Sequence, residues 1–274
     1  MDNQNNNITR RKFLNAAAAA AVAATMGLTA DNPSYADQLD DDLDKYDFIM
    51  PRVKFLDKVS VQDRWDVRPG GDANLLDELS QVVRCKVKPI TGTNNWSPSR
   101  ARPDQLNAVV TFDDLDRIKK YPFLFMTGEG YYNLSPRQKT NFKTYIYHGG
   151  FVLMDDCMVD PGGDFFYQSS YKLLNEIFGA GSVKRISNDH EVFHNVYDLT
   201  DIGLPHVQAQ NHGARGVFVE DRLAIFLSST DLHCGWCDRD KAVFGNGGKK
   251  GLGIHGYKEA IQMGINLIMY ALTH

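Results

Sequence analysis

The residues best equipped for chemistry fall into four groups. Asp155 and Asp156 stand together directly after the apolar run Phe151-Val152-Leu153-Met154. Adjacent carboxylates can hold a divalent cation, or split their proton affinities so that one acts as acid and the other as base. His190-Glu191-Val192-Phe193-His194 spells the order of zinc peptidases, in which both histidines share a helix face and the glutamate activates water. Cys234-Gly235-Trp236-Cys237 has the spacing of redox and metal motifs, with His233 beside it. Arg222, Asp231 and Trp236 lie around one strand and the loop after it, and suit a sugar or another polar ligand.

Each group has a plain structural alternative. One of the two aspartates can cap a turn while the other is solvated. Arg222 can form an ordinary hairpin ion pair beside a packed indole. Cys234 and Cys237 can form a local disulfide, or either can pair with Cys85 or Cys157. The His190–His194 segment lacks apolar helical periodicity and follows Ser187-Asn188, a loop-like start. Tyr197 and Thr200 occupy the places where an extended zinc motif needs Gly and a third His, and Glu220 is a distant substitute in a hairpin turn. The Gly247–Gly253 stretch lacks the order of a phosphate loop, and no Gly-x-Ser-x-Gly elbow occurs.

The elements that must position these groups read as alternating strands and helices. Phe123 to Thr127 and Phe151 to Met154 are apolar along their whole length, the mark of parallel strands covered on both faces. Between them, Ser135-Pro136-Arg137-Gln138 announces a helix with Ser as cap, and Gly149 ends it. Further strands are expected over Val53–Val61, Lys86–Ile90 and Val183–Ile186, with a hairpin from Val217 to Leu227 turning at Glu220-Asp221. Asp72 is expected to cap a helix through Leu75, Leu79 and Val83, and Asp164 to open another through Phe178. Residues 231–256 read as a long surface loop, followed by a terminal helix from Tyr257 to Leu272. Ligands of open α/β sheets bind beyond the carboxyl ends of the strands, where Asp155 and Asp156 stand.

Near its start the sequence carries Thr9-Arg10-Arg11-Lys12-Phe13-Leu14 and an Ala-rich run, then Ser34-Tyr35-Ala36. This is the pattern of a twin-arginine signal peptide over 1–36 with a cleavage site after Ala36. Its apolar run is too short for a comfortable membrane span of roughly 20 residues. An acidic leader over 37–52 follows, and one α/β domain over 53–274. The 274 residues are 43% hydrophobic and 23% charged, with a formal charge of −4, which speaks against a nucleic-acid binder. Four cysteines are too few for a disulfide scaffold.

Several segments together resemble the family catalogued as domain of unknown function 4159. They are Tyr121–Gly128, Gly149–Asp156, Asp189-His190, Arg222-Leu223-Ala224, Cys234-Gly235-Trp236 and the ending Gly264–Thr273. The resemblance implies an open, mostly parallel sheet flanked by helices, flavodoxin-like and akin to class I glutamine amidotransferases, and no established activity. It departs in two places: the family tends to have Gly-His-Gly at Gly128-Glu129-Gly130 and Asp-His-Pro at Asp189-His190-Glu191. A proline at that last position argues for a loop there. Cys157 lies near the place of the amidotransferase nucleophile, but it lacks flanking glycines and follows two carboxylates, which disfavour a thiolate.

The expected function is an exported, periplasmic ligand-binding or accessory module. Its strand-end cleft would gather Glu129, Asp155, Asp156, His190 and Asp231, with Arg222 and Trp236 as further ligand contacts. The alternative is a carboxylate- or metal-dependent hydrolase with Asp155, Asp156 and His190 as catalytic groups, and a third reading is a zinc peptidase through His190 and His194. The cofactor stays open, with a divalent metal admitted. The partner is a polar small molecule, a carbohydrate or a protein segment, with no nucleic acid and no membrane span after signal removal.

Overall fold

The computed structural model describes residues 42–55, 65–91, 105–157, 163–208, 210–237 and 256–274. Seven strands form one sheet: β1 (Pro51–Val53), β2 (Ala108–Val110), β3 (Phe123–Gly128), β4 (Phe151–Asp156), β5 (Lys184–Arg185), β6 (Arg215–Val219) and β7 (Arg222–Ser228). Their order is β2-β1-β3-β4-β7-β6-β5. The five strands from β2 to β7 run parallel, and β6 is antiparallel to both of its neighbours. The parallel part thus follows the doubly wound 2-1-3-4-5 order, in which winding reverses between β1 and β3.

Why the sheet is covered twice follows from side-chain alternation. Phe123, Phe125, Phe151 and Leu153 point into one core, packed with α1 (Pro69–Val82) and the terminal helix α6 (Tyr257–Thr273). Leu124, Met126, Val152 and Met154 point into the other. There they meet α2 (Leu115–Ile118), α3 (Pro136–Tyr147) and α4 (Phe165–Phe178). Each such side chain contributes about 1.5–3 kcal/mol on full burial. No helix among the described residues is long and apolar enough to cross a membrane.

Local sequence chemistry accounts for most boundaries. Ser135 and Gln138 form a reciprocal capping box at the start of α3. Gly149, at φ 90°, takes the left-handed turn that releases the chain into β4. The β6–β7 hairpin turns at Glu220, φ 54°.

Four expectations need correction. The first strand stops at Val53 instead of running to Val61, and 56–64 lie outside the described residues. Lys86–Ile90 is no strand: only Val87 bridges to Phe48, and Pro89 lacks the N–H that a continuing ladder needs. The strand beside β1 is instead Ala108–Val110. α1 starts three residues before Asp72, with Pro69 in its first turn and Arg68 as N-cap, so Asp72 lies inside the helix and turns inward. Finally, residues 231–237 are no surface loop but a buried helical turn, α5 (Leu232–Gly235), with its flanks; 238–255 lie outside the described residues.

Gly150 shows how tightly this frame is packed. A Cβ there would sit 2.2 Å from Cζ of Tyr145, whose hydroxyl donates to the Tyr121 and Phe151 carbonyls at 3.0 and 3.3 Å. Gly150→Ala is expected to destabilise the chain by about 1–3 kcal/mol through overpacking. By differential scanning calorimetry that is a fall in Tm of about 2–10 °C; an unchanged Tm would mean that the Tyr145 ring is free to move.

Candidate functional site

The ionisable groups concentrate where β3, β4 and β7 end. Asp155 stands beside Thr127 of β3 and Ser228 of β7, and Asp156 beside Gly128. As consecutive residues of a strand, the two acids point to opposite faces. Asp155 accepts hydrogen bonds from the backbone N–H groups of Leu232 and His233, at 3.2 and 2.9 Å, and so holds the start of α5. Asp156 accepts from the N–H of Tyr167 at 2.6 Å, in the first turn of α4. Both are buried. Burial and the nearby Asp231 push Asp155 up to about 8, against the bonds from His233, Ser228 and Leu232. Burial raises Asp156 well above the carboxylate range, and its Oδ1 has no hydrogen-bond partner among the described residues.

A second buried group ties β1, α1 and α5 together across the point where winding reverses. Arg52 donates to the carbonyls of Trp65 and Val67 at 2.9 and 3.1 Å and to Oδ1 of Asp72 at 2.5 Å. The same Asp72 oxygen lies 3.0 Å from Nε2 of His233, which is 3.2 Å from the guanidinium. The guanidinium also lies over the Phe125 ring, 4.7 Å from its centroid. Gly71 permits the approach of the two helices, since a Cβ there would be 2.9 Å from the His233 carbonyl oxygen. Burial works against the charge of Asp72, but Arg52 and His233 outweigh it and hold its carboxyl below the usual value. Burial lowers His233, which favours its neutral form.

Asp231 continues β7 in a left-handed conformation, φ 57°. Its Oδ1 accepts from the N–H of Cys234 at 3.2 Å, and its Oδ2 from the Gln208 side-chain amide. Here the thiols meet: Sγ of Cys157 is 3.7 Å from Sγ of Cys234, while Cys237 directs its thiol to the His233 carbonyl at 3.5 Å. The expected disulfide is not formed: Cys234 is bonded neither to Cys237 nor to Cys157, and all three are thiols. The Cys234 contact and burial push the Cys157 thiol well above its usual range, and burial does the same to Cys237. Contact with Cys157 lowers Cys234, but burial and Asp231 leave it raised. None of these three is therefore prepared as a nucleophile at neutral pH.

The more open part of the strand ends lies at the start of α4. Asp164, its N-cap residue, is buried and receives Nε2 of His212 at 2.6 Å. The imidazole stacks on Tyr167 with centroids 4.6 Å apart, and the histidine side chain is 40% exposed. Close by, the exposed Tyr131 packs on Phe165, centroids 4.8 Å apart, and its hydroxyl donates to Gln168 at 3.3 Å. No motif marks this rim, because Asp164 and His212 are 48 residues apart.

The other sequence candidates disperse. His190 caps a 3₁₀ turn (Glu191–Phe193) and accepts the Val192 N–H on Nδ1, in ring contact with Phe218 and Tyr270. It therefore sits toward the amino end of β7, away from Asp155. His194 contacts the Asp189 carbonyl at 3.1 Å, so the two histidines share no helix face. Arg222 donates to the carbonyls of Ile146 and Gly150 at 3.0 and 3.2 Å, closing the end of α3 at the edge of the sheet opposite Asp231. Trp236 is fully buried, its indole N–H donating to the Ala260 carbonyl at 2.9 Å, so no solute reaches it in this conformation. Glu129 is buried at the end of β3.

The family described as domain of unknown function DUF4159 matches residues 52–272, from Arg52 on β1 to the last turns of α6. The chain belongs to that family. The DUF4159 match contains every group described above, from the Arg52–Asp72–His233 contact to the Asp164–His212 pair. No curated protein matches the chain.

The buried ion pair gives a clear expectation for stability. Because Asp72 is held below its unfolded value, its ionised form stabilises the fold above the ordinary carboxylate range. That contribution is lost as pH falls through the lowered folded value. Asp72→Asn leaves Arg52 buried without its counter-charge and should cost about 3–5 kcal/mol near neutral pH. Urea titrations should also show a shallower acid loss for the variant than for the parent chain between about pH 5 and pH 2. Parallel acid limbs would assign that loss to other carboxylates.

Proposed function

We propose that this DUF4159 member is an exported binding or accessory module that holds a polar ligand, a carbohydrate or a protein segment, over the start of α4. The observation that carries the reading is the partly open rim of Tyr131, Phe165, Asp164 and His212. Its aromatic faces and oriented polar groups suit a hydroxylated ligand. The buried acids beneath support it indirectly, since Asp155 and Asp156 fasten helix starts and offer no shared site for a solute.

The test is affinity electrophoresis of the folded chain through gels cast with soluble polysaccharides, with a panel of unstructured peptides read by fluorescence anisotropy. Tyr131→Ala is expected to weaken binding by about tenfold, in line with loss of one stacking ring, with Tm unchanged. Absence of retardation and of any peptide signal would remove the reading.

A hydrolase remains the second reading, on one specific observation. Asp164 orients the His212 ring through Nε2, which leaves Nδ1 as the acceptor that a general base requires. Chromogenic ester and glycoside substrates should then be turned over, and His212→Ala should lower the rate by about 10²–10⁴-fold. Zero turnover by the parent chain would leave the binding role alone.

Export through the twin-arginine pathway completes the proposal, on the strength of Arg10-Arg11 and Ser34-Tyr35-Ala36. Changing Arg10 and Arg11 together to Lys should keep the chain in the cytoplasm. In the parent, N-terminal sequencing of the periplasmic fraction should begin at Asp37. Equal partition of both chains between fractions would end this part of the reading.

A further inference from the structure

We infer that Cys157, Asp231 and Cys234 form a binding centre for a soft divalent cation of the zinc class. The three residues come from the end of β4, the loop after β7 and α5, and are fully or almost fully buried. One donor atom from each lies within 4.8 Å of the other two, so the set is gathered before any ion arrives. Two sulfurs bound to one tetrahedral zinc at about 2.3 Å lie ~3.8 Å apart. The two sulfurs here are 3.7 Å apart. A disulfide would need them to close to about 2.05 Å.

The donors also suit the ion. Two thiolates and one carboxylate select zinc or a similar borderline metal over calcium or magnesium, which prefer oxygen alone. Asp231 is already oriented: the Gln208 amide fixes one oxygen and the Cys234 N–H the other. Entry of the cation displaces the two thiol protons to solvent, leaving the sulfurs bound as thiolates with no change in oxidation state. Three protein ligands leave the fourth corner of the tetrahedron to water. The centre shares no residue with the Asp164–His212 rim and stands or falls apart from what binds there.

The experiment uses the full chain, purified under reducing conditions, stripped with a chelator and titrated with cobalt(II). One equivalent should bind, with the near-ultraviolet sulfur-to-cobalt charge-transfer band and the visible bands of a tetrahedral ion, and zinc should displace it. Cys157→Ser and Cys234→Ser should each abolish the charge-transfer band or reduce it by half, with affinity down at least tenfold. Cys85→Ser and the double change of His190 and His194 to Ala should leave both intact. Because a serine variant can lose its fold, the parent chain carries a second readout. Thiol counting without denaturant should show Cys157 and Cys234 shielded by zinc and released by chelator. No charge-transfer band in the folded parent would overturn the proposal. So would full cobalt binding by both serine variants, or a Cys157–Cys234 disulfide in the protein recovered from the periplasm.

Discussion

A strand buried on both faces must hand its last residues to whatever covers each face, and β4 does so with two carboxylates in succession. Asp155 turns toward α5 and Asp156 toward α4, because neighbouring residues of a strand point in opposite directions. Helix starts carry unpaired N–H groups, so the oxygens of an aspartate side chain are suitable acceptors on either side. One dipeptide therefore fastens helical turns on both layers at the same level of the sheet. An acid pair that reads as a shared catalytic site in one dimension becomes a bracket in three.

The same level of the sheet carries the remaining polar groups in separate compartments. Arg52 and Asp72 neutralise one another between β1 and α1, with His233 of α5 hydrogen-bonded to the same carboxylate. The thiols of Cys157 and Cys234 meet on the Asp155 side, next to Asp231. Asp164 and His212 stay at the boundary with solvent. Burying a charge costs several kcal/mol unless it is paired, so so many ionisable groups in one layer require this division. It also separates what holds the fold from what a ligand can reach.

Much of the frame is legible from residues alone, and the reason is local. β3 and β4 declare themselves as unbroken apolar runs, α3 by Ser135, Pro136 and Gln138, and the β6–β7 hairpin by its turn. β2 is not legible, because three residues carry no period. Lys86–Ile90 misleads, because a short run with Val87 and Ile90 suggests a strand while Pro89 interrupts the ladder. Residues 231–237 mislead for a different reason: the Gly- and Lys-rich stretch after them makes all of 231–256 read as surface, yet Asp231 and His233 are buried through bonds to Cys234, Gln208, Asp72 and the β4 carboxyl group. The site was less legible than the fold. Asp155, Asp156 and Asp231 can be picked out by type and position. Their partners depend on contacts across long separations, such as Cys157 with Cys234 or Asp164 with His212, which no spacing rule contains.

The two margins of the sheet bear on how such a chain behaves when concentrated. One margin is β2, three residues long; the other is β5, which consists of Lys184 and Arg185, both exposed. A second molecule seeking to extend the sheet there would find a stub of backbone and two cations, a poor template for intermolecular ladders. Protection against fibrous self-association is thus built into the shortest strands.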